Sequence, residues 1–322
     1  MSHLEEKTRL EYWFALASVE GLGGMRIKRL LTRFGSVSSI FEAELPEIAR
    51  LPSFNPVLAS RILTVARNFS TLQERLRDLN SQDVEVLCPE DATYPRQLKS
   101  LSDAPAILCK VGKLSEVSEQ CVAIVGSKHP TIEGIQATLG LTIRLVEAGF
   151  TVVSGLANGI DTNAHYGALG VEGTTIGVLS TDFSSIYPPE NRELAAKIYE
   201  TGCLFSEHTF PTTPSPGNLI QRNRIISGLS MATIVIESHK TGGPMHTARY
   251  AQLQDRPVLA CRWETHHELS EGPLALIKTG AFPFLPTELD KVVGVLTDPE
   301  HLERHTMGVS SKQMALFETQ TG

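Results

Sequence analysis

Several apolar stretches of this sequence end in small or cationic residues, a pattern that offers backbone N–H groups and point charges to an anion. The sharpest is VAIVGSKHP at residues 122–130, where a β-branched run stops at Gly126, Ser127 and Lys128. Glycine lets the backbone approach a ligand, and the amides of a strand-to-helix turn point toward negative charge. Lys128 adds a charge and Ser127 a hydroxyl. A second run ends in Ser154 and Gly155 and continues through Asn158 to Asp161. Others end at Asp182 and His208. A further one passes through Gly217 and Asn218 into Arg222, Asn223 and Arg224, and the last opens Gly242 and Gly243. These residue types bind phosphate or carboxylate groups. They supply no obvious nucleophile.

The spacing argues against the common nucleotide fingerprints. G-x-G-x-x-G is not present after the strand, and no acidic residue closes the next apolar run at 150–154. G-x-x-x-x-G-K-[ST] is also missing. No cofactor is expected. No metal is expected either, because the five cysteines lie scattered without a C-x-x-C pair and the adjacent His266 and His267 are poorly placed to share an ion. On a helix, residues two apart point in roughly opposite directions. The expectation is therefore that Arg222 faces the ligand and Arg224 makes a structural ion pair. Asp161 is expected to cap the helix it opens, and His165, one turn on, to pack beneath the loop.

These loops need a frame. From residue 84 onward, short β-rich runs alternate with amphipathic segments. Strands are expected at 84–87, 106–111, 121–125, 150–154, 174–179, 203–206, 233–237 and 257–261. Repeated strand–helix–strand units imply an α/β fold with a mostly parallel sheet covered on both faces. In such a sheet, ligands sit outside the carboxyl ends of the strands, which is where the small residues cluster. Residues 1–78 instead show helical spacing, broken at Gly21, Leu22, Gly23 and Gly24, with a second helix–hairpin–helix pattern around 52–55. The expected organisation is a helical domain over 1–78, an α/β domain over 79–298 and a polar tail over 299–322.

Bulk properties set limits. The chain has 322 residues and a net charge of −7, which argues against coating duplex DNA by a diffuse positive field but leaves room for a local cationic groove. No apolar run approaches the ~20 residues that span a bilayer. The N-terminus lacks a signal-peptide layout. Dispersed cysteines fit buried free thiols in a reducing cytosol, so a cytoplasmic location is expected.

Taken together, VAIVGSKHPT, GFTVVSGLANGIDTNAHYGAL, IYPPENRELAAKI and SPGNLIQRNRIISGLS, in this order and spacing, strongly resemble the DprA/Smf family of DNA-processing proteins. VEGLGG, LLTRFGS and YPRQLKSLSDAPAILCKVG extend the match, which runs from about residue 10 to 281. The resemblance implies a sterile-alpha-motif-like or helix-hairpin-helix domain followed by an extended Rossmann-like domain. It implies a homodimeric, non-catalytic protein that binds and protects single-stranded DNA and loads the RecA recombinase in natural transformation. The implied DNA site comprises Gly126, Ser127, Lys128, Ser154, Gly155, Gly217, Asn218, Arg222, Asn223, Arg224, Gly242 and Gly243.

The sequence departs from the family pattern at several places. Lys128 stands where arginine is usual, which keeps the charge and loses the fork. Leu219 and Ile220 stand where Phe-Pro is usual, removing a stacking face. Arg262 and Trp263 replace Pro-Gly, and the tail is too short for the winged helix many members carry. Gly21, Gly23, Arg26 and Lys28, in a hairpin resembling a helix-hairpin-helix, form a candidate secondary DNA contact. Gln313, Leu316 and Phe317 resemble a sliding-clamp docking peptide, with two apolar side chains for a pocket and a glutamine at its rim. Two other classes remain open. One is a phosphoribohydrolase-like nucleotide enzyme, which Gly242, Gly243 and Thr247 partly match, with Asp161 and Glu207 as spare carboxylates. The other is a nucleotide sensor without turnover.

Overall fold

The computed structural model describes residues 9–65 and 69–298, which form two compact units. The first holds residues 9–111 and 207–209, the second residues 112–206 and 210–298.

The first unit begins with helices α1 (Arg9–Ala17), α2 (Gly24–Phe34), α3 (Val37–Glu42), α4 (Leu45–Ala49), α5 (Pro56–Val65) and α6 (Phe69–Ser81). Trp13, Phe14, Ala15 and Leu16 are all buried in α1, and Tyr12, Phe41 and Phe69 form a ring cluster with centroids 5.5–5.9 Å apart. The hairpin before α2 turns through Gly21, whose φ of 83° favours glycine. Beside it lies the hairpin before α5. Arg26 donates to the carbonyl oxygens of Gly21 (2.5 Å) and Ser53 (3.0 Å), and Arg29 donates to those of Pro52 and the Ser53 hydroxyl. Arg26, expected to face DNA, thus staples two hairpins together. Strand β1 (Glu85–Leu87), the short helix α7 (Arg96–Lys99) and β2 (Leu108–Gly112) follow. β1 and β2 pair antiparallel, with Lys110 and Glu85 opposite each other and joined by a 2.5 Å ion pair.

The second unit is the repeated strand–helix pattern. Its elements are β3 (Cys121–Val125), α8 (Ile132–Glu147), β4 (Thr151–Ser154), α9 (Ile160–Leu169), β5 (Thr175–Val178), α10 (Arg192–Thr201), β6 (Cys203–Ser206), α11 (Pro216–Leu229), β7 (Ala232–Val235), α12 (Gly243–Leu253), β8 (Val258–Cys261), α13 (Glu271–Lys278), β9 (Phe282–Phe284) and α14 (Leu289–Thr297). The strands lie in the order β6-β5-β4-β3-β7-β8-β9, every pair parallel. Val122, Ile124, Val152 and Ile234 pack against α8, α9 and α14 in one core. The alternating residues, such as Ala123 and Val125, point to the other face, where α11 and α12 pack. Burial on both faces explains why these strands are almost continuously apolar.

The sequence-expected strands are found within about two residues of their expected ends, and β9 is additional. Its three residues, Phe-Pro-Phe, are too few for a period, and an internal proline ordinarily speaks against a strand. As the last strand of the order, β9 tolerates one. Among the described residues no helix is long and apolar enough to cross a membrane.

Candidate functional site

From β3 the chain first builds outward through β4, β5 and β6, then returns to place β7 on the other side of β3. That reversal opens a crevice at the carboxyl ends of β3 and β7, where parallel sheets bind ligands. A cavity of about 470 Å³ occupies it. Its walls come from the loop after β3 (Gly126 to His129), from Ala157 and Asp161 after β4, from the first turns of α11, and from the segment after β7 leading into α12.

The loop after β3 is built to present Lys128. A Cβ at Gly126 would lie 2.4 Å from Cγ1 of Ile160, so only glycine lets β3 run this close to α9. The Ser127 amide donates to the Glu237 carbonyl (2.7 Å), and the Ser127 carbonyl accepts from the Ile160 amide (3.1 Å). The Ser127 hydroxyl accepts from the His129 amide (3.1 Å). Lys128, between them, is exposed and makes no ion pair or hydrogen bond among the described residues. Thr131 then caps α8, its hydroxyl accepting from the Gly134 amide at 2.9 Å.

Arg222 differs from its sequence expectation. It borders the cavity but is 7% exposed, and its guanidinium donates to the carbonyl oxygens of Gly155 and Val178. A side chain at Gly155 would overlap that guanidinium. Asp161 is buried nearby and accepts from the amides of Gly155 (3.2 Å) and Ala157 (3.4 Å). It sits inside α9 rather than at its cap, which is Gly159. Burial pushes the Asp161 carboxyl above the usual carboxylate range, while the Arg222 charge and the two amides pull it back. Burial lowers the Arg222 guanidinium in turn, against the Asp161 charge. The expected outward arginine is therefore a buried brace under the β4 loop. Arg224 is also buried, away from the cavity wall, and its carbonyl accepts from Gln254 (2.8 Å). The two-faced helix argument fails because every residue of α11 from Arg222 to Leu229 is buried, leaving no solvent side to choose.

The crevice thus gathers Gly126, Ser127, Lys128, Arg222, Asn223, Gly242 and Gly243. It does not include Ser154, which is fully buried with its hydroxyl on the Ile124 carbonyl (2.6 Å), nor Gly155, which lies beneath Arg222. Gly217 and Asn218 stand in the first turn of α11, where the Asn218 amide donates to the capping Ser215 hydroxyl (3.1 Å). His165 is fully buried, as expected. Its Nδ1 lies 2.7 Å from the Thr175 hydroxyl, which itself donates to the Val152 carbonyl, so Nδ1 carries the proton. Burial drives this imidazole down to about 3.

Three lining histidines were not among the site residues expected from sequence: His129, His239 and His246. The available signal was position, since His129 and His239 each stand four residues past the end of a central strand and His246 lies in the first turn of α12. Among the described residues no group of histidines, cysteines and acids is arranged to hold a metal ion. Gln313, Leu316 and Phe317 lie outside the described residues.

A doubly covered parallel sheet with a small-residue, lysine-bearing crevice at its switch point defines a Rossmann-like fold. The model of the family DNA recombination-mediator protein A matches residues 85–296, and the chain belongs to this DprA/Smf family of DNA-processing proteins. The chain is 35% identical to Protein Smf of Synechocystis sp. over 274 residues, 84% of this chain and 69% of that protein. It is 36% identical to DNA processing protein DprA of Bacillus subtilis, over 66% of this chain and 72% of that one. The X-ray structure of DNA processing protein A from Streptococcus pneumoniae superposes with a TM-score of 0.76 at 28% identity, covering 90% of this chain and 98% of that chain. A structure describing the single-stranded DNA binding mode of the Helicobacter pylori protein matches with a TM-score of 0.59 at 27% identity, over 66% of this chain and 95% of that one.

Proposed function

We propose that this protein binds single-stranded DNA in the crevice after β3 and β7, without cutting it, and hands the strand to a RecA recombinase. The observation that carries the reading is the Lys128 loop: an exposed cation lacking a described protein partner, held by buried backbone bonds at the one place where the sheet order reverses. The relative from Helicobacter pylori, whose structure concerns single-stranded DNA binding, supports it. Non-catalytic action fits the cavity wall, where the sole carboxylate is Asp161, tied to loop amides and neighbouring a buried arginine. RecA loading, service in transformation and a homodimeric state follow from the family resemblance. A reducing, cytoplasmic setting agrees with five free cysteines, all buried.

The test is a gel shift with single- and double-stranded oligonucleotides across a salt series, comparing wild type with Lys128→Glu. Salt-sensitive preference for single strands is expected, with at least a tenfold loss on charge reversal, a change of about 1.4 kcal/mol. Equal affinity for both DNA forms, or indifference to the reversal, would refute the reading.

A further inference from the structure

Glu237 stands two residues past the end of β7 and is fully buried. A buried carboxylate is costly unless its oxygens are satisfied. Here Oε2 accepts from the Thr131 amide (2.9 Å) and Oε1 from the Thr131 hydroxyl (2.6 Å), with His267 Nε2 3.7 Å from Oε1. The backbone carbonyl of Glu237 accepts from the Ser127 amide (2.7 Å). One residue therefore grips both ends of the segment that displays Lys128 and His129. The fit is close on the far side as well: a Cβ at Gly134 would lie 2.4 Å from Oε2, so α8 presses against the carboxylate through a glycine.

We infer that Glu237 is the positioning residue of the Lys128 loop, fixing where the cation stands although its own charge has the wrong sign for an anion site. The consequence for DNA rests on the function proposed above; the consequence for the loop does not. Coulomb's law alone says that removing a negative charge from beneath a cationic loop tightens anion binding. Positioning says the reverse, because a loop freed to move holds its lysine less often where the phosphate needs it.

Two measurements decide between them, both on the full chain. Hydrogen exchange on Glu237→Gln, whose amide offers one oxygen where the carboxylate offered two, is expected to speed exchange of the Ser127 and Thr131 amides while those of β3 stay protected. Unchanged exchange in the loop overturns the inference, whether or not the protein binds DNA. Titration with a fluorescent single-stranded oligonucleotide is expected to show roughly tenfold weaker binding for Glu237→Gln. The same substitution is expected to have no further effect in a Lys128→Ala background, which a general loss of stability would not produce. Equal or tighter binding by Glu237→Gln, or full additivity with Lys128→Ala, overturns it. If Glu237→Gln fails to fold, Thr131→Val removes the partner hydroxyl from the other side, and a smaller change in the same direction is expected. Absence of binding by the wild type refutes the proposed function and leaves the exchange result to judge Glu237.

Discussion

Arg222 borders the crevice, yet its charge is directed into the protein. Its guanidinium satisfies the carbonyl oxygens of Gly155 and Val178 at the ends of β4 and β5, with Asp161 close enough to perturb it. Removing one of two opposite charges buried near each other leaves the remaining one uncompensated, whereas removing both can be far milder. Urea unfolding should therefore show Arg222→Met and Asp161→Asn each strongly destabilised and the double variant less so than either sum implies. The double variant also separates a brace from a ligand. A residue that contacts phosphate adds about 0.7 to the steepness with which log affinity falls against log salt for a single strand. Lys128→Ala is expected to lower it, and the double variant to leave it unchanged. At this scale the sequence was informative about residue type and poor about direction. The place of Lys128 on the crevice wall was legible because the residues just past the carboxyl end of a central parallel strand line the opening of the sheet. Arg222 was not, because nothing local announces that a helix is enclosed on every side. Glu237 was hidden for the same reason: it reads as the polar end of a strand, and its partners lie 106 residues away.

Elements were easier to read than side chains. Strand ends at β3 and β6 coincide with the sequence expectation, since β-branched runs bounded by glycine or charge are distinctive. The contacts between elements are less forgiving than their boundaries. β3 approaches α9 through Gly126, where an added methyl would meet the Ile160 side chain at 2.4–2.9 Å from a branched, backbone-proximal group. Gly126→Ala is expected to lower stability by about 1–3 kcal/mol through overpacking, and Ile160→Val in the same chain, which keeps all three of the atoms that would clash, not to recover it. Gly243, the first residue of α12, has open space around it, so Gly243→Ala should leave the urea midpoint nearly unmoved. Two glycines of one crevice thus separate into a packing requirement and a replaceable position.

For the whole molecule, the combination of a −7 chain with a lysine-bearing crevice means that, under the function proposed above, DNA would be met locally and not by overall attraction. Global stability carries its own titration. His165 is buried neutral, with its imidazole lowered to about 3. A depressed folded value gives stability that is present above the unfolded value of about 6.5 and lost as pH falls toward 3. At pH 5 the loss from this one group is about 2 kcal/mol. His165→Asn, which can still donate to the Thr175 hydroxyl, should therefore unfold at a urea midpoint that falls less than the wild type's between pH 7 and pH 5. An identical fall in both would show that the imidazole is not the acid-sensitive group.

The enclosure of α11 has one more consequence. From Arg222 onward the helix has no face that can change without disturbing the interior, so along α11 variation in what the crevice prefers must fall on the turn before it, where Leu219 and Ile220 line the wall, and elsewhere on exposed lining residues such as Lys128, His129, His239 and Gly243. A library randomised there would keep its architecture and explore ligand taste, while the same number of changes placed one turn later would mostly return unfolded chains.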